Sequence, residues 1–500
     1  MDLTALKSGT DIRGIASEGV QGQEIQLTDE AVSAIAGGFL CWCEKHLGKP
    51  ANNLHIAMGH DSRISAGRIS SSLKKAFVNC GCRVSDCGLA STPSMFMAVV
   101  DMPCDCAVQI TASHHPFNRN GLKFFTKEGG LDSPDISEIL NFANQGKAPA
   151  PAEGGKAEDS AFMKRYAEIL RDKIKEGVNA EDYDHPLNGF HIVVDAGNGA
   201  GGFYAWDVLQ PLGADTSGSV YLEPDGMFPG HIPNPEDKTA MKSISKAVLD
   251  SGADFGVIFD TDVDRGAAVD SSGAEISRNR LVAIAAAIAL EGNPGGVIVT
   301  DSITSDGLKQ YIESTLGGVH HRFQRGYKNV INEALRLNAE GINCPLAIET
   351  SGHAAMRENY FLDDGAYLVT KLIIKMAVMK KDGKQLEELL SELPQPKEAI
   401  ELRFPLKKSD FRSEGEEILA KLSAYAESKG WDIAPDNREG IRISFPKNSG
   451  DGWFLLRLSV HDPIMPLNAE SNQIGGTDIL LEHFREFAEN SKLYFSVGQR

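Results

Sequence analysis

Three times along this chain of 500 residues an apolar run of strand length passes directly into a compact polar loop. Ala107–Ile110 leads into Thr111-Ala-Ser-His-His-Pro116, Phe255–Phe259 into Asp260-Thr-Asp-Val-Asp-Arg265, and Leu346–Ile348 into Glu349-Thr-Ser-Gly-His353. Amphipathic helical stretches lie between such runs, for example Ile69–Phe77 between Leu54–Gly59 and Arg83-Val84. That alternation is the signature of α/β domains. In open α/β sheets ligands bind beyond the carboxyl ends of the strands, so three loops of this kind from three domains can face one shared cleft.

Length at roughly 150 residues per domain predicts about three domains, but the boundaries fit four. Lys147-Ala-Pro-Ala-Pro-Ala-Glu-Gly-Gly-Lys156 loses periodicity and marks the first. A second unit carries strands at His191–Val194 and Phe255–Phe259; a third begins near Arg278, with strands at Gly296–Val299 and Cys344–Ile348 and a helix at Tyr367–Lys380. Pro394-Gln-Pro-Lys397 marks the last boundary, followed by helices at Phe411–Lys429 and Ile479–Glu489 and strands at Ile441–Phe445 and Trp453–Leu458. The expected domains are therefore 1–150, 151–277, 278–394 and 395–500.

Composition narrows the partners. Fifty basic against sixty-nine acidic residues give a net charge of -19, a field that repels nucleic acid and anionic membranes. Leu281–Leu290, the most apolar run, is about half of what a bilayer requires and reads as a buried helix. The N-terminus lacks a basic segment followed by an apolar core, so no secretory signal is read there. Seven of the eight cysteines precede residue 107, and the C-x-C pairs at 41/43, 80/82 and 104/106 lack the spacing of a zinc site. Reduced thiols in the cytoplasm are expected, or in a plastid or other organelle if a transit peptide has been removed.

Two loops carry the chemistry. Asp260, Asp262 and Asp264 alternate directly after a strand and would repel one another without a cation between them; all-oxygen ligation suits Mg²⁺ better than zinc. Arg265 adds a positive charge at the same place. An Asp-x-Asp after a strand is also how an aspartyl-nucleophile phosphatase begins, with the first carboxylate taking the phosphoryl group. In the loop Thr111–Lys123, Ser113 is a candidate nucleophile or phosphoryl carrier, with His114, His115 and Lys123 placed to assist it or to balance phosphate charge. A phosphoserine would be a natural ligand for the neighbouring cation. Asp195-Ala-Gly-Asn-Gly-Ala-Gly-Gly202 matches G-x-G-x-x-G, with Glu223 at the expected distance for a dinucleotide site. Glu223, however, opens a Pro/Gly-rich loop instead of ending a strand, so the glycines read better as a tight turn. No phosphate-binding G-x-x-x-x-G-K-[ST] loop is present.

These residues resemble the α-D-phosphohexomutase superfamily, and most of all its phosphomannomutase/phosphoglucomutase branch. The resemblance runs nearly end to end through Gly9-Thr-Asp-Ile-Arg-Gly14, Gly59-His-Asp-Ser-Arg63, Thr111–Pro116 with Asn120-Gly121 and Lys123, Asp260–Arg265 and Glu349–His353. It implies four domains around a central cleft, three topologically similar mixed α/β domains and a smaller C-terminal α+β domain, which carry in turn the phosphoserine, the metal, the sugar site and a phosphate site. It implies a Mg²⁺-dependent interconversion of hexose 1-phosphate and hexose 6-phosphate, glucose or mannose, with a hexose 1,6-bisphosphate as intermediate and activator. Ser113 would carry the phosphoryl group and join Asp260, Asp262 and Asp264 in holding the metal. Lys123, Arg13 and His353 would serve catalysis; Arg63, His114, Arg265, Lys328, Glu349 and Ser351 would hold substrate, with Glu349 and Ser351 on the sugar's 3- and 4-hydroxyls. Arg457, Ser459 and His461 would contact the distal phosphate.

The chain departs from the family in two places. Thr261 stands where many relatives have Gly. The C-terminal phosphate loop, R-x-S-G-T-E-P followed by a second Arg in the family, is here Arg457-Leu-Ser-Val-His-Asp-Pro-Ile-Met-Pro-Leu-Asn468, with Pro466 near the place of the second Arg. Losing one bidentate cation weakens the hold on a phosphate. That motivates a second reading, a hexose-1,6-bisphosphate synthase that releases the bisphosphate; a phosphosugar-binding regulatory protein without turnover is the alternative of another class, against which Ser113 and the three aspartates argue.

Overall fold

The computed structural model describes residues 2–407, 410–459 and 463–490. The chain divides into two compact units, one made of Met1–Leu281 with Ser351–Glu388, the other of Val282–Thr350 with the chain from Leu389 onward. The architecture is α/β: three successive sheets flanked by helices, then a C-terminal antiparallel sheet with two helices.

In the first unit the leading sheet runs, in spatial order, Lys7–Ser8, Asp11–Ile15, Arg119–Thr126, Cys106–Ile110, His55–His60, Arg83–Leu89 and Lys156–Asp159. The four strands from Cys106–Ile110 to Lys156–Asp159 are parallel, whereas Arg119–Thr126 returns antiparallel beside Cys106–Ile110. The sheet thus reaches past residue 150. Helix Asp29–Leu47 covers it because its start and stop are both specified. The Thr28 side chain accepts from the Ala31 N–H, acidic Asp29 and Glu30 occupy the first turn, and Gly48 closes the end at φ +65°. Its buried face packs Phe39 against Phe124, ring centroids 4.5 Å apart, inside a core shared with Phe77, Ile56 and Val108. Burying side chains of that size contributes about 1.5–3 kcal/mol each.

Lys123 does not lie in a polar loop, as the run of turn residues before it led one to expect. It sits within the strand Arg119–Thr126, buried along nearly its whole length. A lysine in that setting requires buried acidic partners.

The second sheet, Ile192–Asp195, Phe255–Phe259, Gly266–Asp270 and Glu275–Ile276, also belongs to the first unit. Phe259 pairs with Gly266, so Asp260–Arg265 is the hairpin loop between two buried strands. The glycine-rich turn after Ile192–Asp195 packs against that loop: a Cβ on Gly199 would lie 2.5 Å from the Thr261 carbonyl oxygen, which accepts from the Ala200 N–H at 2.8 Å. Close backbone approach to the acidic loop explains these glycines without a dinucleotide.

In the second unit Val319–Arg322, Val297–Thr300 and Leu346–Ile348 form a parallel set. The C-terminal sheet is antiparallel, ordered Glu398–Pro405, Ile464–Ser471, Gly452–Leu456, Ile441–Phe445 and Asp432–Ile433. The segment expected to form a long phosphate loop is therefore strand from Ile464 onward, and Pro466 pairs with Arg403. No described helix is long and apolar enough to cross a membrane.

Candidate active site

Ser113 stands at the carboxyl end of the Cys106–Ile110 strand with φ +51°, and Val263, at the tip of the acidic hairpin, with φ +67°. Left-handed backbone is costly for a β-branched residue and persists where the surroundings over-determine it. Val263 is fully buried, and the turn it makes lets three aspartates of one short loop point inward together.

The two loops meet through Ser113. Its hydroxyl donates to Asp260 Oδ2 at 2.8 Å and accepts from Arg265 Nη2 at 2.9 Å. Arg265 also donates to Asp260 Oδ2 at 3.0 Å and, through Nη1, to Asn234 Oδ1 at 3.0 Å. His114 Nδ1 lies 2.6 Å from Arg265 Nη2. Burial and then Arg265 push the His114 imidazole far below its ordinary range, so it accepts as a neutral ring and does not supply positive charge.

Lys123 bridges the other two aspartates, donating to Asp262 Oδ2 at 3.0 Å and to Asp264 Oδ2. Thr92 donates its hydroxyl to Asp262 as well. One carboxylate oxygen of Asp262 and one of Asp264 remain buried without a hydrogen-bond partner, and Asp260, Asp262 and Asp264 each offer an oxygen within 4.8 Å of the others. Burial, with Asp264 and Asp262 beside it, pushes the Asp260 carboxyl well above the usual carboxylate range. Burial acts upward on Asp264 too, but Lys123, His353 and Arg265 outweigh it and hold that carboxyl far below. Three crowded all-oxygen donors, two with an unused oxygen, fit a small divalent cation such as Mg²⁺.

His353 belongs to the same cluster. Its Nδ1 is 2.7 Å from Asp363 Oδ2 and 3.9 Å from Asp264 Oδ1. Burial opposes its charge, yet Asp363 and Asp264 raise its pKa to about 9. Ser351 is buried two residues earlier. Arg13, on the strand opposite Gly121, pairs with Asp11 at 2.6 Å; a Cβ on Gly121 would lie 3.0 Å from the Arg13 side chain, so the glycine gives that arginine room.

Arg63 lies beneath the serine loop. Its guanidinium is fully buried and bonded to the serine loop itself. It donates to the carbonyls of Pro116 and Arg119 at 2.8 Å, of His115 at 2.6 Å, and of Ser113. Asp61, 3.3 Å from Arg63 Nε, accepts from Thr111, whose Oγ1 in turn accepts from the Ser113 N–H at 2.8 Å. Arg63→Met would leave four loop carbonyls and the Asp61 carboxylate without this partner, at an expected cost of about 3–5 kcal/mol. Urea unfolding measures this; an unchanged midpoint would show that Arg63 is not what holds the loop.

In the second unit, Glu349 is buried and accepts from the Gly326 N–H at 2.6 Å. Lys328 lies in the first turn of helix Tyr327–Ala339, directly after that glycine. Arg457 follows the strand Gly452–Leu456, and the Ser459 N–H bonds the Ile464 carbonyl at 3.0 Å. His461 lies outside the described residues.

Sequence models of the phosphoglucomutase/phosphomannomutase α/β/α domains I, II and III match residues 6–149, 165–273 and 277–396. The chain belongs to the phosphoglucomutase/phosphomannomutase family. It is 31% identical to a Thermococcus kodakarensis protein named phosphoglucomutase/phosphomannomutase, over 83% of this chain and 86% of that one. To the phosphoglucomutase of Neisseria gonorrhoeae it is 27% identical, over 96% of both. A crystal structure of a phosphoglucomutase/phosphomannomutase family protein from Burkholderia thailandensis shares the fold, with a TM-score of 0.81 over 99% of this chain and all of that one, at 23% identity.

Within this phosphoglucomutase/phosphomannomutase scaffold several groups at the site escaped the sequence reading. Thr92 and Asp363 lie outside the motifs and come to the site through the fold, whereas Asp61 stands inside Gly59-His-Asp-Ser-Arg63 and was passed over there. Asp363 had a visible signal, since Asp363-Asp364 directly precedes a long helix. Asp364 caps that helix, accepting from the Tyr367 N–H, which leaves its neighbour for His353.

Proposed function

We propose that the chain is a hexose-phosphate mutase that moves a phosphoryl group between O1 and O6 of a hexose with Ser113 as carrier. The observation that supports it most is the placement of the Ser113 hydroxyl between Asp260 and Arg265, which joins a nucleophile on one domain to an acidic triad on the next. Bound Mg²⁺, held by Asp260, Asp262 and Asp264 together with the phosphate, would neutralise charge on the phosphoryl oxygens.

The chain's own groups do the rest. From phosphorylated Ser113, a sugar hydroxyl oxygen bonds to phosphorus as the phosphorus–Oγ bond breaks, and the hydroxyl proton passes to Oγ. Arg265 Nη2 already stands at Oγ and can follow the charge onto the departing oxygen. Lys123, clamped between Asp262 and Asp264, is a fixed cation beside the reacting centre. In the reverse transfer the Ser113 oxygen bonds to phosphorus as the phosphorus–sugar-oxygen bond breaks. His353, protonated at neutral pH by its carboxylate neighbours, can hand a proton to the departing sugar oxygen while the Ser113 hydroxyl proton restores it. Glu349 and Ser351 suit hydrogen bonding to sugar hydroxyls. Positioning and charge stabilisation dominate such a reaction. A released bisphosphate would have to bind again in the opposite orientation, so a hexose 1,6-bisphosphate would act as activator. The single arginine of the 457–468 segment is the observation that favours a bisphosphate synthase as second reading.

The deciding experiment is a coupled assay with glucose 1-phosphate and mannose 1-phosphate, with and without added bisphosphate and Mg²⁺, alongside phosphopeptide mapping. Metal-dependent formation of the 6-phosphate with an acid-stable phosphate on Ser113 is expected. Bisphosphate accumulating without isomerisation selects the synthase. An acid-labile phosphate on Asp260 selects an aspartyl phosphatase, and ligand binding without turnover selects a regulatory protein.

A further inference from the structure

The Pro/Gly-rich loop 221–237 leads into helix Lys238–Ser251. Much of it is exposed, but residues that face inward meet both arginines that hold Ser113. Phe228, left-handed at φ +50°, sets its ring 5.3 Å from the Arg63 guanidinium carbon. A Cβ on Gly226 would lie 2.5 Å from the Ser62 carbonyl oxygen and from the Ile64 nitrogen, so the loop lies directly on the chain that carries Arg63. Further along, Asn234 Oδ1 accepts from Arg265 Nη1 at 3.0 Å. The same oxygen accepts from the Glu236 N–H at 3.0 Å, and two donor neighbours fix which way the amide faces. The Glu236 carboxylate stands farther off, 3.9 Å from Nη1.

A buried ion pair holds the segment that carries Asn234. His231 Nδ1 lies 2.9 Å from the Ile232 carbonyl oxygen, and its Nε2 lies 3.0 Å from both oxygens of Asp195. Acceptors on both sides require hydrogen on both nitrogens, so the ring is an imidazolium. Burial opposes that charge, but the hydrogen bond to Asp195 and its negative charge outweigh burial and raise the pKa. Asp195 ends the strand Ile192–Asp195, beside the strand that leads into Asp260, and it also accepts from the Ser243 hydroxyl at 2.7 Å and the Gly197 N–H at 2.9 Å. Gly197 leaves room for Pro233, whose Cβ would lie 2.7 Å from a Cβ there. Left-handed backbone at Tyr221 and Phe228 is costly and persists because these anchors over-determine the loop.

We infer that Asn234 is a positioning residue for phosphoryl transfer: it holds Arg265 Nη1 so that Nη2 stays on Ser113 Oγ, and the His231–Asp195 pair anchors it there. This rests on the mutase reading, in which Arg265 follows the charge onto Oγ, and deepens it. A guanidinium is a planar fork, so fixing one terminal nitrogen fixes the direction of the other. Asp260 grips Arg265 along its Nε–Nη2 edge, at 3.3 and 3.0 Å. Phosphorylated Ser113 has no hydroxyl hydrogen to give Asp260, so the contacts along that edge rearrange in every turnover. Asn234 meets the opposite nitrogen, which the reaction leaves alone, and keeps the guanidinium plane in place throughout.

The test compares Asn234→Ala, Asn234→Ser and Asn234→Asp with wild type by kcat and KM for glucose 1-phosphate, and by the single-turnover rate at which Ser113 takes phosphate from glucose 1,6-bisphosphate. Serine can still accept from the Glu236 N–H and keep the turn but falls one bond short of Arg265, whereas aspartate keeps both contacts. The alanine and serine variants are expected to lose about 10- to 100-fold in kcat, the scale of a misplaced catalytic group, with KM moving by no more than about threefold. The aspartate variant should recover part of that loss. In an Arg265→Ala background, Asn234→Ser should have no further effect, because the group it acts through is gone. Full kcat in Asn234→Ser, or a loss that adds undiminished to that of Arg265→Ala, would overturn the inference while wild-type isomerisation leaves the mutase reading intact. If wild type phosphorylates Ser113 without isomerising the sugar, the mutase reading fails and the single-turnover series still decides the role of Asn234. A wild type in which Ser113 takes no phosphate overturns both.

Discussion

Ser113→Ala is expected to lower the interconversion of glucose 1-phosphate and glucose 6-phosphate by about 10⁴-fold or more, the size of loss seen when a nucleophile is removed from an otherwise intact site. The left-handed conformation of Ser113 supplies the control. Alanine at φ +51° carries the same backbone penalty as serine, whereas glycine relieves it. Ser113→Gly should therefore be equally inactive while unfolding no earlier than wild type. Activity surviving in either variant would show that another residue carries the phosphoryl group. If Ser113→Gly were active and Ser113→Ala were not, loop geometry and not the hydroxyl would be the determinant.

What the sequence made legible divides along a physical line. Strand-to-loop transitions such as Phe255–Phe259 into Asp260 were readable because both the apolar run and the chemistry are local, and the acidic loop falls where alternation predicts. Lys123 was misplaced because its strand is made of residues such as Asn120 and Gly121 that read as turn; pairing on both sides, with Cys106–Ile110 and with the distant Asp11–Ile15, makes it a strand. Arg63 carried the right charge in the right motif, but nothing local distinguishes a cation facing substrate from one consumed by four backbone carbonyls of its own domain. The net charge of -19 posed the question of how an anionic substrate is held at all. Under the proposed function the cations fixed on carboxylates around the serine loop, Arg265 on Asp260 and Lys123 on Asp262 and Asp264, would meet it.

The acidic triad gives the second large effect. In chelator-treated wild type, Mg²⁺ should raise the unfolding temperature, because a cation bound only by the folded state adds about 2.7 kcal/mol when present at a hundred times its dissociation constant. Asp262→Asn should abolish most of that increment. The retained amide can still accept from Thr92 and Lys123, so the fold survives, but one of the two unused carboxylate oxygens is replaced by a poorer ligand and the local charge falls by one. Mutase activity should fall by about 10²–10³-fold, the scale of losing a principal electrostatic contact to the transition state. The two readouts are linked through one site: a variant that keeps the Mg²⁺-dependent shift but loses activity would place Asp262 in substrate contact instead of metal binding. A wild type whose unfolding temperature ignores Mg²⁺ would remove the cation from this loop and leave Lys123, Arg265 and His353 to balance its carboxylates.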